Sequence, residues 1–185
     1  DTGRPQQAML DLLNASLDAS GLDLVVFLVD MIHSPSIGND LRATKKAIDA
    51  IINPVAERGL DFAVVFGNHD DEGGIPKETQ LAYYQSFPGC LAAEGEPMTG
   101  CGNYYLTVMG EDGMPKCVLW FFDSGTYDTT GQGTYACVEK DQLDWYQQTS
   151  AKLTADYGKL PGFAFQHIIV PEVYAMLSVV PKGTQ

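Results

Sequence analysis

The stretch "VVFGNHDDEGGIP", residues 64–76, decides how this chain is read. An apolar run, Val64-Val65-Phe66, stops at Gly67. Four side chains that bind metals or move protons then follow without a gap: Asn68, His69, Asp70 and Asp71. A buried strand that ends on such a cluster points to a site at a strand's carboxyl end, where open α/β sheets place their ligands.

Working outward, the same pattern recurs. "LDLVVFLVD", 22–30, is a continuous apolar run that ends in Asp30, as suits a strand buried on both faces. Residues 5–20 carry Met9, Leu10, Leu12, Leu13 and Leu17 at helical spacing. The stretch 38–59 reads as a helix interrupted or kinked near Pro54. Helix, strand, helix, strand predicts an α/β architecture with a parallel pair and a right-handed crossover.

Further along, 76–87 reads as a helix and the Gly- and Pro-rich 88–102 as a loop. "NYYLTVMG" and "KCVLWFFD" flank the turn-prone "EDGMP" and predict a hairpin. Residues 139–158 predict a helix with Leu143, Trp145, Tyr146 and Leu153 as its apolar positions. "GFAFQHIIVP", 162–171, predicts a last strand carrying His167. With no internal repeat and no linker, 1–185 reads as a single domain. A start at Asp1, without Met or a signal-peptide pattern, reads as a processed chain or a piece.

Bulk properties narrow the function. The chain has 11 Lys plus Arg against 24 Asp plus Glu, a net charge of −13. Such a field repels polyanions, which argues against nonspecific nucleic-acid binding, and it draws cations. No apolar run is long enough to span a membrane. Cysteines 90, 101, 117 and 137 lack Cys-x-x-Cys spacing, so a zinc knuckle is not expected. Cys117 reads as core, and Cys90 with Cys101, flanking a Gly-rich loop, is a candidate disulfide in an oxidising compartment.

Asp30, Asn68-His69-Asp70, Asp123-Ser124 and His167 all fall at or near strand ends. Oxygen and nitrogen donors of this kind suit Zn, Mn or Fe. Each residue taken alone has an ordinary alternative. A lone acid after a strand as often caps the next helix, and Asn after Gly is a common turn residue. A histidine in an apolar run is more often a hydrogen-bonded core residue, and Asp123-Ser124-Gly125 reads equally as a turn. Their shared placement favours a site.

"GNHD", 67–70, resembles the signature of the calcineurin-like metallophosphoesterases. "DLVVFLVD" is similar to their strand that ends in Gly-Asp. "FQHIIVPEVY", "LWFFDSGTY" and "DQLDWYQQ" resemble segments of the purple-acid-phosphatase-like branch. The resemblance runs from about residue 22 to the C-terminus.

It implies a four-layer α/β/β/α sandwich with two divalent or trivalent metals, Fe, Mn or Zn, at the strand ends. It implies metal ligation by Asp30, Asn68 and His167, with Asp30 bridging. It implies phosphate contacts from Asn68 and His69, and a catalytic pair in which Asp70 orients His69. The implied reaction is metal-dependent hydrolysis of a phosphomonoester or phosphodiester, borne by a small molecule or a phosphoprotein.

The chain also departs from the pattern. It has no Asp-x-His and no Gly-His-x-His, its histidines being His33, His69 and His167 alone. Val29 stands where the family carries the glycine before its bridging aspartate. The expectation is therefore part of the sandwich, lacking outer strands at both ends, that binds one metal weakly or none. Open sheet edges would then favour self-association. A non-catalytic, degenerate member of the fold that binds a partner is the alternative.

Overall fold

The computed structural model describes residues 7–19, 21–28, 30, 36–131, 133–170 and 172–173. The elements run α1 (Gln7–Ala19), β1 (Leu24–Leu28), α2 (Leu41–Ala56), β2 (Asp61–Val65) and α3 (Lys77–Tyr84). They continue with β3 (Tyr104–Met109), β4 (Pro115–Phe121), α4 (Lys140–Tyr157) and β5 (Gly162–Phe165). Val29, His33, Pro171 and the C-terminal "VVPKGTQ" lie outside the described residues.

Two sheets form. β1 and β2 pair in parallel, Leu24 opposite Asp61 through Leu28 opposite Val65. β3 and β4 are the expected antiparallel hairpin, and β5 joins β4 in parallel from Val118–Gly162 to Phe121–Phe165. Each parallel pair is separated in sequence by one helix, α2 or α4, so the chain contains two βαβ units.

Side-chain alternation along β4 stacks the layers. Leu119 and Phe121 join a core that also holds Phe62, Val64 and Phe66 from the β2 segment and Ile48, Ile52 and Val55 from α2. Val118, Trp120 and Phe122 face the other way, onto Leu153 and Trp145 of α4. The order is helix, sheet, sheet, helix. The sheets are latched by Tyr104, whose buried hydroxyl donates to Val64 O at 2.9 Å and accepts from Val64 N at 3.2 Å.

Local chemistry sets the helix starts. Asp40 caps α2, accepting from the backbone N–H groups of Arg42 and Ala43. Glu139 and Gln142 form a capping box on α4. The Gln142 amide also donates to Asn103 Oδ1 and Asp123 O, both at 2.7 Å, and so pins α4 to the end of β4.

Some expectations are corrected. β1 is only half-buried and Leu28 is exposed, because among the described residues β1 has one neighbouring strand. In α1 only Leu17 is buried, while Leu12 is 68% exposed. α2 is not interrupted, since Pro54 sits in its last turn and the helix continues to Ala56. β5 ends at Phe165, so His167 lies just beyond the strand. Cys117 is half-buried at the edge of the core. All four cysteines are free thiols. Cys90 pairs with Phe62 at the edge of β2 and Cys101 is buried, and the two are not bonded to one another in this structure.

Candidate active site

The chain leaves β1 at Leu28 and reaches Asp30; it leaves β2 at Val65 and turns at Gly67. These two exits touch. A Cβ on Gly67 would overlap the Asp30 carboxylate, so glycine is required here for close approach. The turn is then tied from both sides. Gly67 N donates to Asp70 Oδ2 at 2.7 Å, and His69 N donates to Asp30 Oδ1 at 2.9 Å.

The third arm arrives from β5. Ile168 N donates to the buried Ser124 Oγ at 2.9 Å, which fixes the segment carrying His167. His167 Nε2 lies 3.3 Å from Asp30 Oδ2 and 3.2 Å from Asn68 Oδ1. Asn68 Nδ2 donates to Tyr127 Oη at 3.1 Å, which orients the amide so that its oxygen faces the imidazole. Asp30, Asn68, His69 and His167 thus line one cavity of about 300 Å³, together with Tyr135 and Ile168.

The buried carboxylates are divided by role. Asp70 is 1% exposed and closes the turn through Gly67 N, while the Gln80 side-chain amide donates to its backbone oxygen at 2.6 Å. Asp123 lies in a different place. Its Oδ1 and Oδ2 accept from Lys77 Nζ at 2.9 and 3.1 Å, and it also accepts from Cys101 N and Gly125 N. This buried pair ties the start of α3 to the end of β4, and Asp123 does not face the Asp30 cavity.

Residues without an assigned role in the sequence reading complete the network. His69 Nδ1 meets Glu72 Oε2 at 2.5 Å. Tyr127 Oη donates to Glu72 Oε1, also at 2.5 Å. Glu72 raises the His69 pKa, chiefly through that hydrogen bond; burial opposes it, and the charges of Asp30, Glu72 and Asp70 add to the rise. Glu72 likewise raises the Tyr127 pKa. The signal was present in the sequence: Glu72 follows His69 by three residues, a spacing that lets one turn bring the side chains together.

The larger cavity, about 330 Å³, lies between α4 and the outer face of β4 and β5. Val118, Trp120, Phe122 and Leu153 line it, and among the described residues its lining includes no carboxylate or imidazole. The candidate site is therefore the smaller one. Among the described residues no group of three or more His, Cys, Asp or Glu side chains is arranged as a metal site. The Asp30–Asn68–His167 meeting point includes an amide as its third donor.

Comparison with known proteins points the same way. No protein-family model matches the chain. It is 30% identical over 171 residues to the probable inactive purple acid phosphatase 14 of Arabidopsis thaliana, covering 81% of this chain and 42% of that protein. Against the probable inactive purple acid phosphatase 29 of the same plant the identity is 29%, with the same coverage. Against the phosphatase DCR2 of Saccharomyces cerevisiae (strain ATCC 204508 / S288c) it is 27%, covering 90% of this chain and 30% of that protein. The chain spans less than half the length of these curated relatives. It is a homologue of phosphatase-like proteins, several of them named as purple acid phosphatases.

Proposed function

We propose that this chain carries the central part of a metal-dependent phosphoesterase site of the calcineurin-like type. The observation that supports it best is the approach of Asp30 Oδ2 and Asn68 Oδ1 to the same nitrogen, His167 Nε2, from three separate strand ends. Donors around one cation with bonds of about 2.1 Å are separated by roughly 3.0–3.4 Å. The separations of 3.2 and 3.3 Å fit that spacing for one ion. A bound cation supplies Lewis-acid pull on a phosphoryl oxygen. A second cation has no donor set among the described residues, so the two-metal site of the family needs ligands from elsewhere.

The protein's own groups supply the rest. Asn68 is held by Tyr127 with its oxygen toward the cavity. His69 lines the same cavity, and Glu72 on Nδ1 favours its charged form. The imidazolium is then a proton donor, through Nε2, to a phosphoryl or leaving-group oxygen. Asp70 keeps the Gly67 turn closed. The substrate is a phosphate ester on a small molecule or a phosphoprotein. Self-association through the half-covered β1 is part of the same reading.

A non-catalytic binding fold is the second reading. It is favoured by the single set of three donors and by relatives whose names include "inactive". Metal content per chain, together with hydrolysis of p-nitrophenyl phosphate, separates the two. Stoichiometric metal lost on Asp30→Ala, and turnover reduced about 100-fold or more by His69→Ala, support the enzyme. No metal and no turnover in this chain support the binding fold.

A further inference from the structure

Beside the Asp30 cavity stands a hairpin whose stacked aromatic rings have no part in the site described so far. Tyr127 and Tyr135 face each other across an antiparallel bridge, their rings stacked with centroids 5.8 Å apart and planes at 24°. Both stay open to solvent, at 41% and 46% exposure. Two large aromatic rings left uncovered at a polar cavity contribute little to a core.

The described residues between them are tied by hydrogen bonds. Asp128 Oδ1 accepts from Thr130 N at 2.7 Å, Asp128 N donates to Thr134 O, and Ala136 N donates to Thr126 O. Tyr127 is anchored through its hydroxyl to Asn68 and Glu72. Its ring therefore backs Tyr135, which lines the cavity alongside Asp30, His69 and His167. A rigid aromatic surface of this kind loses little entropy on taking up a flat partner.

We propose that Tyr135, backed by Tyr127, is a stacking platform for the leaving group, so that this site favours phosphate esters whose leaving group carries a planar aromatic ring, such as a nucleobase. This rests on the phosphoesterase reading for the phosphate half and on the aromatic pair for the ring half. The anionic phosphate lies toward Asn68 and His69, and the ring lies over Tyr135. The hydroxyl of Tyr135 is not needed; its π-face is.

Three probes that share parts test each half: adenosine 5′-monophosphate, ribose 5-phosphate and adenosine. Binding is measured by calorimetry with Mn²⁺ present, on the unmodified chain, Tyr135→Ala and Tyr135→Phe. The monophosphate is expected to bind about 10-fold or more tightly than ribose 5-phosphate, as one base stacked on one ring allows. Tyr135→Ala should erase that difference without changing ribose 5-phosphate, and Tyr135→Phe should retain it. Equal binding of the two phosphates, or a difference that survives in Tyr135→Ala, overturns the platform and leaves the phosphate site standing. Adenosine binding that depends on Tyr135, with no effect of the phosphate, keeps the platform and removes the phosphoesterase reading. Failure of all three probes to bind overturns both.

Discussion

His69 Nδ1 and Glu72 Oε2 lie 2.5 Å apart, and this contact governs the charge of the imidazole that lines the cavity. Nδ1 is engaged from within the turn, which fixes the ring's orientation at the cavity.

A pH dependence follows from that pairing. The His69 pKa is raised above its ordinary value of about 6.5, Glu72 being the largest cause. A raised folded-state pKa means that the pair's stabilising contribution is fully present below about 6.5 and is lost as pH rises through the folded value. In Glu72→Gln the His69 titration should move back toward about 6.5, followed by NMR of the imidazole C–H signals in the metal-free chain. A titration curve unaltered by Glu72→Gln would remove Glu72 from this role.

Gly67→Ala should destabilise the chain. A Cβ there meets the Asp30 carboxylate and, at 2.7 Å, the Asp30 backbone nitrogen. Overpacking of this kind costs about 1–3 kcal/mol. In the Asp30→Ala background the same change should cost less, because part of the collision is gone. Urea unfolding of the four variants measures this, and strict additivity would contradict the close approach.

Lys77 and Asp123 form a buried pair at 6% and 3% exposure. Lys77→Met leaves the carboxylate without its cation and should cost about 3–5 kcal/mol. Adding Asp123→Asn should recover part of that loss, since the uncompensated charge is removed. A single variant as stable as the unmodified chain in urea would show that the pair is not structural.

Thiol reactivity should sort by burial. Burial pushes the Cys101 thiol well above its ordinary range, with Glu94 adding to it, and burial also raises Cys90. Cys137 is exposed. Near pH 8, where an ordinary exposed thiol is partly thiolate, a disulfide reagent should modify Cys137 promptly, the half-buried Cys90 more slowly, and Cys101 only after unfolding. Rapid modification of Cys101 in the folded chain would contradict its placement beside Glu94.

The sequence displayed the layered α/β order because continuous apolar runs and helical periodicity are local properties. The elements from 22 onward lie close to their expected places. Asp30, Asn68 and His167 were also legible, since each lies within two residues of the end of an apolar run. The half-burial of β1 was not, because an apolar run does not tell how many strands flank it. The free state of Cys90 and Cys101 depended on which neighbours each thiol would find. The sequence reading placed Asp123 with the site by its strand-end position. Its partner Lys77 is 46 residues away, and no local pattern joins them. Tyr127 and Tyr135 were visible as residues, but only the hairpin brings their rings together.

The Tyr104 hydroxyl engages both backbone groups of Val64. A side chain thereby does at this point what a neighbouring strand does elsewhere along β2. Amide exchange at Val64 consequently reports the docking of one sheet on the other rather than the pairing of β2 with β1. A single proton on one residue becomes a gauge of whether the two halves of the sandwich are closed.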